Sequence, residues 1–186
     1  AESESSYAWQ AEHSEGDASS ALDEPLAIIG MSGRFPGART VDEFWGVLSE
    51  GRTQVQEIPS ERFDWRQYWG DPQKQAGKTN GKWLAALDGV DEFDPLFFEI
   101  SPREAQEMDP RQRLLLQEAW GALEDAGYGP VQLQRERVGM FVGVEQGDYQ
   151  VLVAGAGGSV TANHDAILAS RLAYVLNLRG PAMAIN

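Results

Sequence analysis

Gly180-Pro181-Ala182-Met183-Ala184-Ile185-Asn186 decides the fold. Gly-Pro signals a turn, and the residues after it suit a buried strand. The segment before it, Asp165 to Leu178, is amphipathic at helical spacing. Helix, tight turn and short apolar strand are the parts of an α/β layer. Ala182–Asn186 is therefore expected to be an interior strand, with a loop at its carboxyl end. In open α/β sheets that edge is where ligands and reactive groups collect.

Working outward, Val138–Val144 reads as a second buried strand, with Glu145 to Tyr149 leaving its carboxyl end as a solvated loop. Ala154–Gly158 lacks dinucleotide-binding spacing and reads as a flexible loop. Leu26–Met31 is a third apolar run expected to be a buried strand. The loop after it, Ser32–Gly37, is not a phosphate loop, because no Gly-Lys-Ser/Thr closes it. Arg34 in that loop is expected to pair with a carboxylate.

Helix signals are local and specific. Thr40-Val41-Asp42-Glu43 is a capping box; Phe44, Val47 and Leu48 then share a face with Trp45 beside it, and Gly51 ends the helix. Ser101-Pro102 opens a short helix and Asp109-Pro110 a longer one. Leu116, Ala119, Trp120, Leu123 and Ala126 form the buried stripe of the longer helix, and Gly127 closes it. Arg111 and Arg113 sit early in it, where the dipole disfavours cations, so a carboxylate such as Asp109 or Glu107 should hold them. Residues 52–95 read as a long surface loop pinned by Phe63, Trp65, Tyr68, Trp69, Trp83 and Phe93. Lys74, Lys78 and Lys82 among these aromatics would suit single-stranded nucleic acid, but the interleaved acidic residues argue against it.

Composition narrows the classes. The 186 residues are 42% hydrophobic and 24% charged, as in a globular domain with a real core. The net charge of −14 argues against nucleic acid as partner. Half of it lies in residues 1–24, where Glu2, Glu4, Glu12, Glu15, Asp17, Asp23 and Glu24 meet no Lys or Arg. That Ser-rich tail reads as a flexible linker, or as a docking segment seated on Tyr7 and Trp9. The sequence holds no Cys, hence no disulfide, thiolate metal site or cysteine nucleophile among these residues. His13 and His164 stand far apart and make no case for a metal site. No membrane-length apolar run or signal peptide is evident, which makes a cytoplasmic protein the default.

Several stretches together resemble the ketosynthase domains of modular polyketide synthases. Glu24–Gly37 is similar to their opening strand and loop. Asp91–Phe98 with Ile100–Ala105 resembles their central signature, and Met108–Leu116 runs into Ala122–Gly127 in the family's manner. Arg171–Asn186 resembles the lead-in to the active-site cysteine. A finer likeness is to ketosynthases of synthases that borrow a free-standing acyltransferase. The resemblance covers about residues 24–186.

That resemblance implies a thiolase-like α/β/α/β/α layered fold, of which residues 25–186 would be the N-terminal part, stopping just before the nucleophile. It places the catalytic cysteine three residues beyond Asn186 and both catalytic histidines further on, so no catalytic residue lies in this chain and the chain alone is expected to be inactive. It implies an acyl-transferring β-ketoacyl synthase that uses no directly bound cofactor or metal. Its substrates would ride on the phosphopantetheine arm of acyl carrier protein. The expected partners are the remainder of the domain, the carrier protein and a second copy in a homodimer, with neither nucleic acid nor membrane. In the family the region before the last helix can wall the acyl pocket. That makes Asn163, His164, Asp165 and Ile167 candidates for substrate binding, against ordinary interface packing. Two other readings stay open: a non-condensing domain that gates acyl transfer or dimerises as a scaffold, and a thiolase acting on coenzyme A esters. The residue three places past Asn186 separates the condensing from the non-condensing reading; the long aromatic loop 52–95 argues against the thiolase. On its own, a half sheet with open edges is expected to aggregate or stay molten.

Overall fold

The computed structural model describes residues 25–133, 136–145, 147–158 and 161–186. The tail 1–24, with the linker or docking reading and His13, lies outside the described residues.

The architecture is built around two helices and a parallel strand pair. Helix α1 (Val41–Ser49) starts as its capping box dictates: the Thr40 hydroxyl accepts the Glu43 N–H, and the Glu43 carboxylate accepts the Arg39 N–H. Gly51, at φ +63°, ends it in the left-handed conformation that glycine tolerates. Its expected apolar face is only partly used. Val47 is buried and Phe44 stacks on Phe35, whereas Trp45 and Leu48 are exposed.

The 52–95 segment is irregular, as expected, but pinned at two levels. Strands β1 (Gln56–Glu57) and β2 (Trp83–Leu84) pair antiparallel across it, and a 3₁₀ turn at Trp65–Tyr68 buries Trp65. Lys82 extends over the rings of Trp65, Trp69 and Trp83 at 5.2, 5.9 and 5.1 Å, and Lys74 pairs with Asp71. Both of these lysines already have intramolecular partners.

Helices α2 (Pro102–Glu107) and α3 (Pro110–Asp125) follow, each with proline in its first turn and a capping side chain, Ser101 and Asp109. A short turn of helix, α4 (Pro130–Leu133), precedes strand β3 (Met140–Gly143). Then come α5 (Tyr149–Gly155), a 3₁₀ turn at Thr161–Asn163, α6 (Ala166–Val175) and β4 (Ala182–Ile185). Strands β3 and β4 are parallel, with Met140 opposite Ala182 and Gly143 opposite Ile185. Helix α6 packs on both strands and on α3. The core lies between these helices: Phe98, Ile100, Ala105, Met108, Leu116, Leu172 and Leu176, with Leu172 fully buried. Apart from the smaller Ala105, each such side chain contributes about 1.5–3 kcal/mol relative to exposure.

Three expectations are corrected. Leu26–Met31 is not a strand: it finds no ladder partner among the described residues, and Leu26 and Ile28 are exposed. An apolar run becomes a strand only when another strand satisfies its backbone. Here the chain is tied to α3 through polar groups. The Met31 N–H donates to Asp125 at 2.9 Å, the Ser32 hydroxyl to Glu118 at 2.5 Å, and Arg34 pairs with Glu118 at 2.9 Å, as its sequence position called for. Next, β4 exists in the expected place but is not interior. It pairs along one edge, and Met183 and Ile185 are about half exposed. On β3, likewise, Val142 is buried while Phe141 is exposed. Two strands under one helix have one covered face, so alternate side chains remain in the open. Finally, Tyr149 and Ala154–Gly155, expected as loop, are the two ends of α5, which closes through Gly157 at φ +77°. Its exposed Val151 and Leu152 hide the helical period.

Candidate functional site at the carboxyl ends of the parallel strands

Both parallel strands point their carboxyl ends at one cavity of about 350 Å³. Val144 follows β3, Ala184 and Asn186 come from β4 and its end, Gly147 and Gln150 from the turn into α5, and Asn163, His164, Asp165 and Ala166 from the start of α6. Three of the four substrate-binding candidates thus line it. Ile167 does not; it is half-buried in the first turn of α6.

The three differ in what they can do. Asn163 is buried, and its side chain is committed to the backbone joining α2 to α3: Oδ1 accepts the Asp109 N–H at 2.6 Å and Nδ2 donates to the Glu107 carbonyl at 2.8 Å. His164 is exposed, and its Nδ1 accepts the Ala166 N–H at 3.2 Å. Asp165 occupies the N-cap position of α6, yet makes no capping bond there. Its carboxylate turns to Arg111 instead, at 2.9 Å.

Arg111 was singled out by sequence because a cation in a first helical turn is unfavourable by about 0.3–1 kcal/mol. The structure answers with two carboxylates. Nη2 lies 2.7 Å from the buried Asp109 and 2.9 Å from Asp165, Nε donates to Asp109 at 3.0 Å, and Nη1 donates to the Glu145 carbonyl at 2.6 Å. Hydrogen bonding to Asp109 raises the Arg111 pKa most; the Asp109 and Asp165 charges add to this, and burial opposes it. Gln112 completes the tie by donating to the Ala162 carbonyl at 2.9 Å. Asp109 is therefore the partner foreseen for Arg111, while Asp165 is the one sequence missed. Arg113 departs from expectation: among the described residues it forms no ion pair, and its Nε is buried without a hydrogen-bond partner.

Among the described residues no group of three His, Asp or Glu side chains could hold a metal ion, and no helix is long and apolar enough to cross a membrane.

Two parallel strands with their helix, converging on a cavity at the strand ends, define an α/β layer. The chain belongs to the β-ketoacyl synthase family: residues 23–186 match its N-terminal domain. It is 47% identical over 173 residues to polyketide synthase PksN of Bacillus subtilis, covering 90% of this chain and 3% of that protein. It is 49% identical over 164 residues to polyketide synthase ThaG of Burkholderia thailandensis, covering 88% of this chain and 3% of that protein. Among solved structures, a ketosynthase from module 6 of the bacillaene synthase of Bacillus subtilis 168 superposes with a TM-score of 0.76 at 43% identity, covering 86% of this chain and 26% of that one. The oxazolomycin ketosynthase domain OzmH KS7 of Streptomyces albus JA3453 gives 0.79 at 37% identity, covering 87% and 29%. The fold is accordingly the N-terminal part of a thiolase-like ketosynthase, and the chain spans about a quarter of the length of those solved domains. Membership rests on the matched length. The exposure of β4 does not overturn it, because this chain contributes only part of the layers that such a domain stacks.

Proposed function

We propose that residues 25–186 form the N-terminal part of a condensing ketosynthase that extends an acyl chain by decarboxylative Claisen condensation on acyl carrier protein. The observation that carries the reading is the placement of Asn186: β4 runs parallel to β3 and delivers the chain to the cavity at the carboxyl edge. A cysteine three residues on would stand beside that cavity. Near a helix N-terminus its thiolate is favoured, and it attacks the carbonyl of a carrier-bound acyl thioester. The acyl group moves to the enzyme and the carrier thiol leaves. A malonyl-type thioester then loses carbon dioxide, and two downstream histidines with backbone N–H groups stabilise the enolate. Its carbon attacks the acyl-enzyme carbonyl, the cysteine thiolate departs, and a β-ketoacyl carrier thioester results. Within this chain, Asn163, His164 and Asp165 wall the acyl end of the cavity, and Ile167 supports the turn behind them. The working protein is a cytoplasmic homodimer, with residues 1–24 as its linker or docking tail.

The test uses the protein carried to the end of its reading frame. Incubation with an acyl-pantetheine thioester should add one acyl mass by intact-protein mass spectrometry. Adding malonyl carrier protein should then release carbon dioxide and yield the β-ketoacyl carrier. Acylation without extension would favour an acyl-transfer gate, and a dimer that takes no acyl group a scaffold.

A further inference from the structure

We propose that Arg111 is a positioning residue for this cavity, clamping the carboxyl end of β3 to the start of α6 and so fixing the separation of its two walls. The inference rests on reading the cavity as the acyl site. Its basis is the number of separate elements meeting at one guanidinium. Asp109 belongs to the α2–α3 junction, the Glu145 carbonyl follows β3, and Asp165 opens α6. Val144 and Gly147 on one side of the cavity and Asn163 to Ala166 on the other are each within two residues of one of these anchors.

Gly147 is the second, independent sign. A Cβ placed on it would lie 2.3 Å from Arg111 Nη2 and 2.4 Å from its Cζ. The missing side chain makes room for the guanidinium. Arginine is also the residue type such a clamp requires. Its planar fork can bond two carboxylates and a carbonyl at once, whereas a lysine ammonium is a point charge on a flexible stem. The clamp touches neither substrate nor reacting atoms; it acts by setting how wide the cavity is, and therefore which acyl chains enter.

The experiment compares wild type, Arg111→Lys, Arg111→Gln and Gly147→Ala in the complete ketosynthase, with acetyl- and benzoyl-pantetheine as acyl donors. Arg111→Gln should change the benzoyl-to-acetyl ratio of kcat/KM about tenfold, mostly through KM for the larger donor. Arg111→Lys should fall between it and wild type. Gly147→Ala should shift the ratio the same way, and it tests the clamp even if Arg111→Gln does not fold. Hydrogen exchange followed by mass spectrometry should show residues 144–150 and 161–167 opening together while α3 stays protected. An unchanged ratio with unchanged exchange in both segments overturns the proposal. So does a uniform loss of protection that includes α3, which is what a merely structural arginine would give. If the wild-type protein takes no acyl group, the acyl-site reading fails, and the exchange data then decide the clamp by themselves.

Discussion

Gly180→Ala should destabilise the protein far more than its small chemical change suggests. Gly180 lies where β4 begins to pair, and its N–H donates to the Val138 carbonyl at 3.0 Å. A Cβ there would stand 2.2 Å from the Val138 oxygen and 2.4 Å from its carbon. Both are backbone atoms, so no rotamer change relieves the clash, and the strands must part at their amino ends. The lost hydrogen bond costs about 0.5–1.5 kcal/mol and the overpacking about 1–3 kcal/mol. Reduced freedom of the unfolded chain returns about 0.4–1 kcal/mol. The net expectation is a loss of about 0.5–4 kcal/mol. Gly143→Ala is the control: it lies in the paired strand, and nothing stands within 4 Å of its Cβ position. It should be neutral or stabilising by up to about 1 kcal/mol. Urea unfolding of the complete ketosynthase, followed by tryptophan fluorescence, measures both, provided the m-value stays constant. A Gly180→Ala protein as stable as wild type, or a Gly143→Ala protein equally weakened, would refute the reasoning.

Two further expectations concern other parts of the molecule. Leu172→Ala removes a fully buried side chain where α6 meets α3, and should cost about 2–5 kcal/mol in the same urea experiment. Asp71 is held below its ordinary carboxylate pKa by the hydrogen bond to Lys74 first, then by the Gln73 N–H. A depressed folded pKa means that its small contribution is present at neutral pH and fades as pH falls through the folded value. Carbon-detected NMR titration should place Asp71 below the usual carboxylate range, and Lys74→Ala should move it back up.

What sequence revealed and what it hid divide along a physical line. Signals carried by neighbours in the chain were legible. Thr40, Ser101 and Asp109 cap their helices, Gly51 and Gly127 end two of them at positive φ, and the strand after Gly180-Pro181 forms where the turn requires it. The unfavourable position of Arg111 correctly demanded a carboxylate. Signals that depend on distant partners were not legible. Leu26–Met31 is apolar enough for a strand, but pairing decides strands, and its contacts run to α3 instead. Asp165 pairs with Arg111 across 54 positions, and no local pattern announces that. Helix α5 was not legible because Val151 and Leu152 are exposed beside the buried Val153 and its glycine-rich end resembles a loop. The stretch Asn163 to Asp165 was legible as a candidate and meets the cavity, but its geometry was not legible.

The parallel pairing of β3 with β4 also has a bearing on synthesis at the ribosome. Met140 must wait for Ala182, its partner among the described residues, before the ladder can close. At about 5–20 residues per second, that interval is roughly 2–8 s of translation, during which the exposed Phe141 lies on an unpaired edge. Helix α3 lies wholly upstream and can form meanwhile. The nascent chain should thus have its helical half in place first, and be most vulnerable to chaperone capture while β4 is still in the exit tunnel.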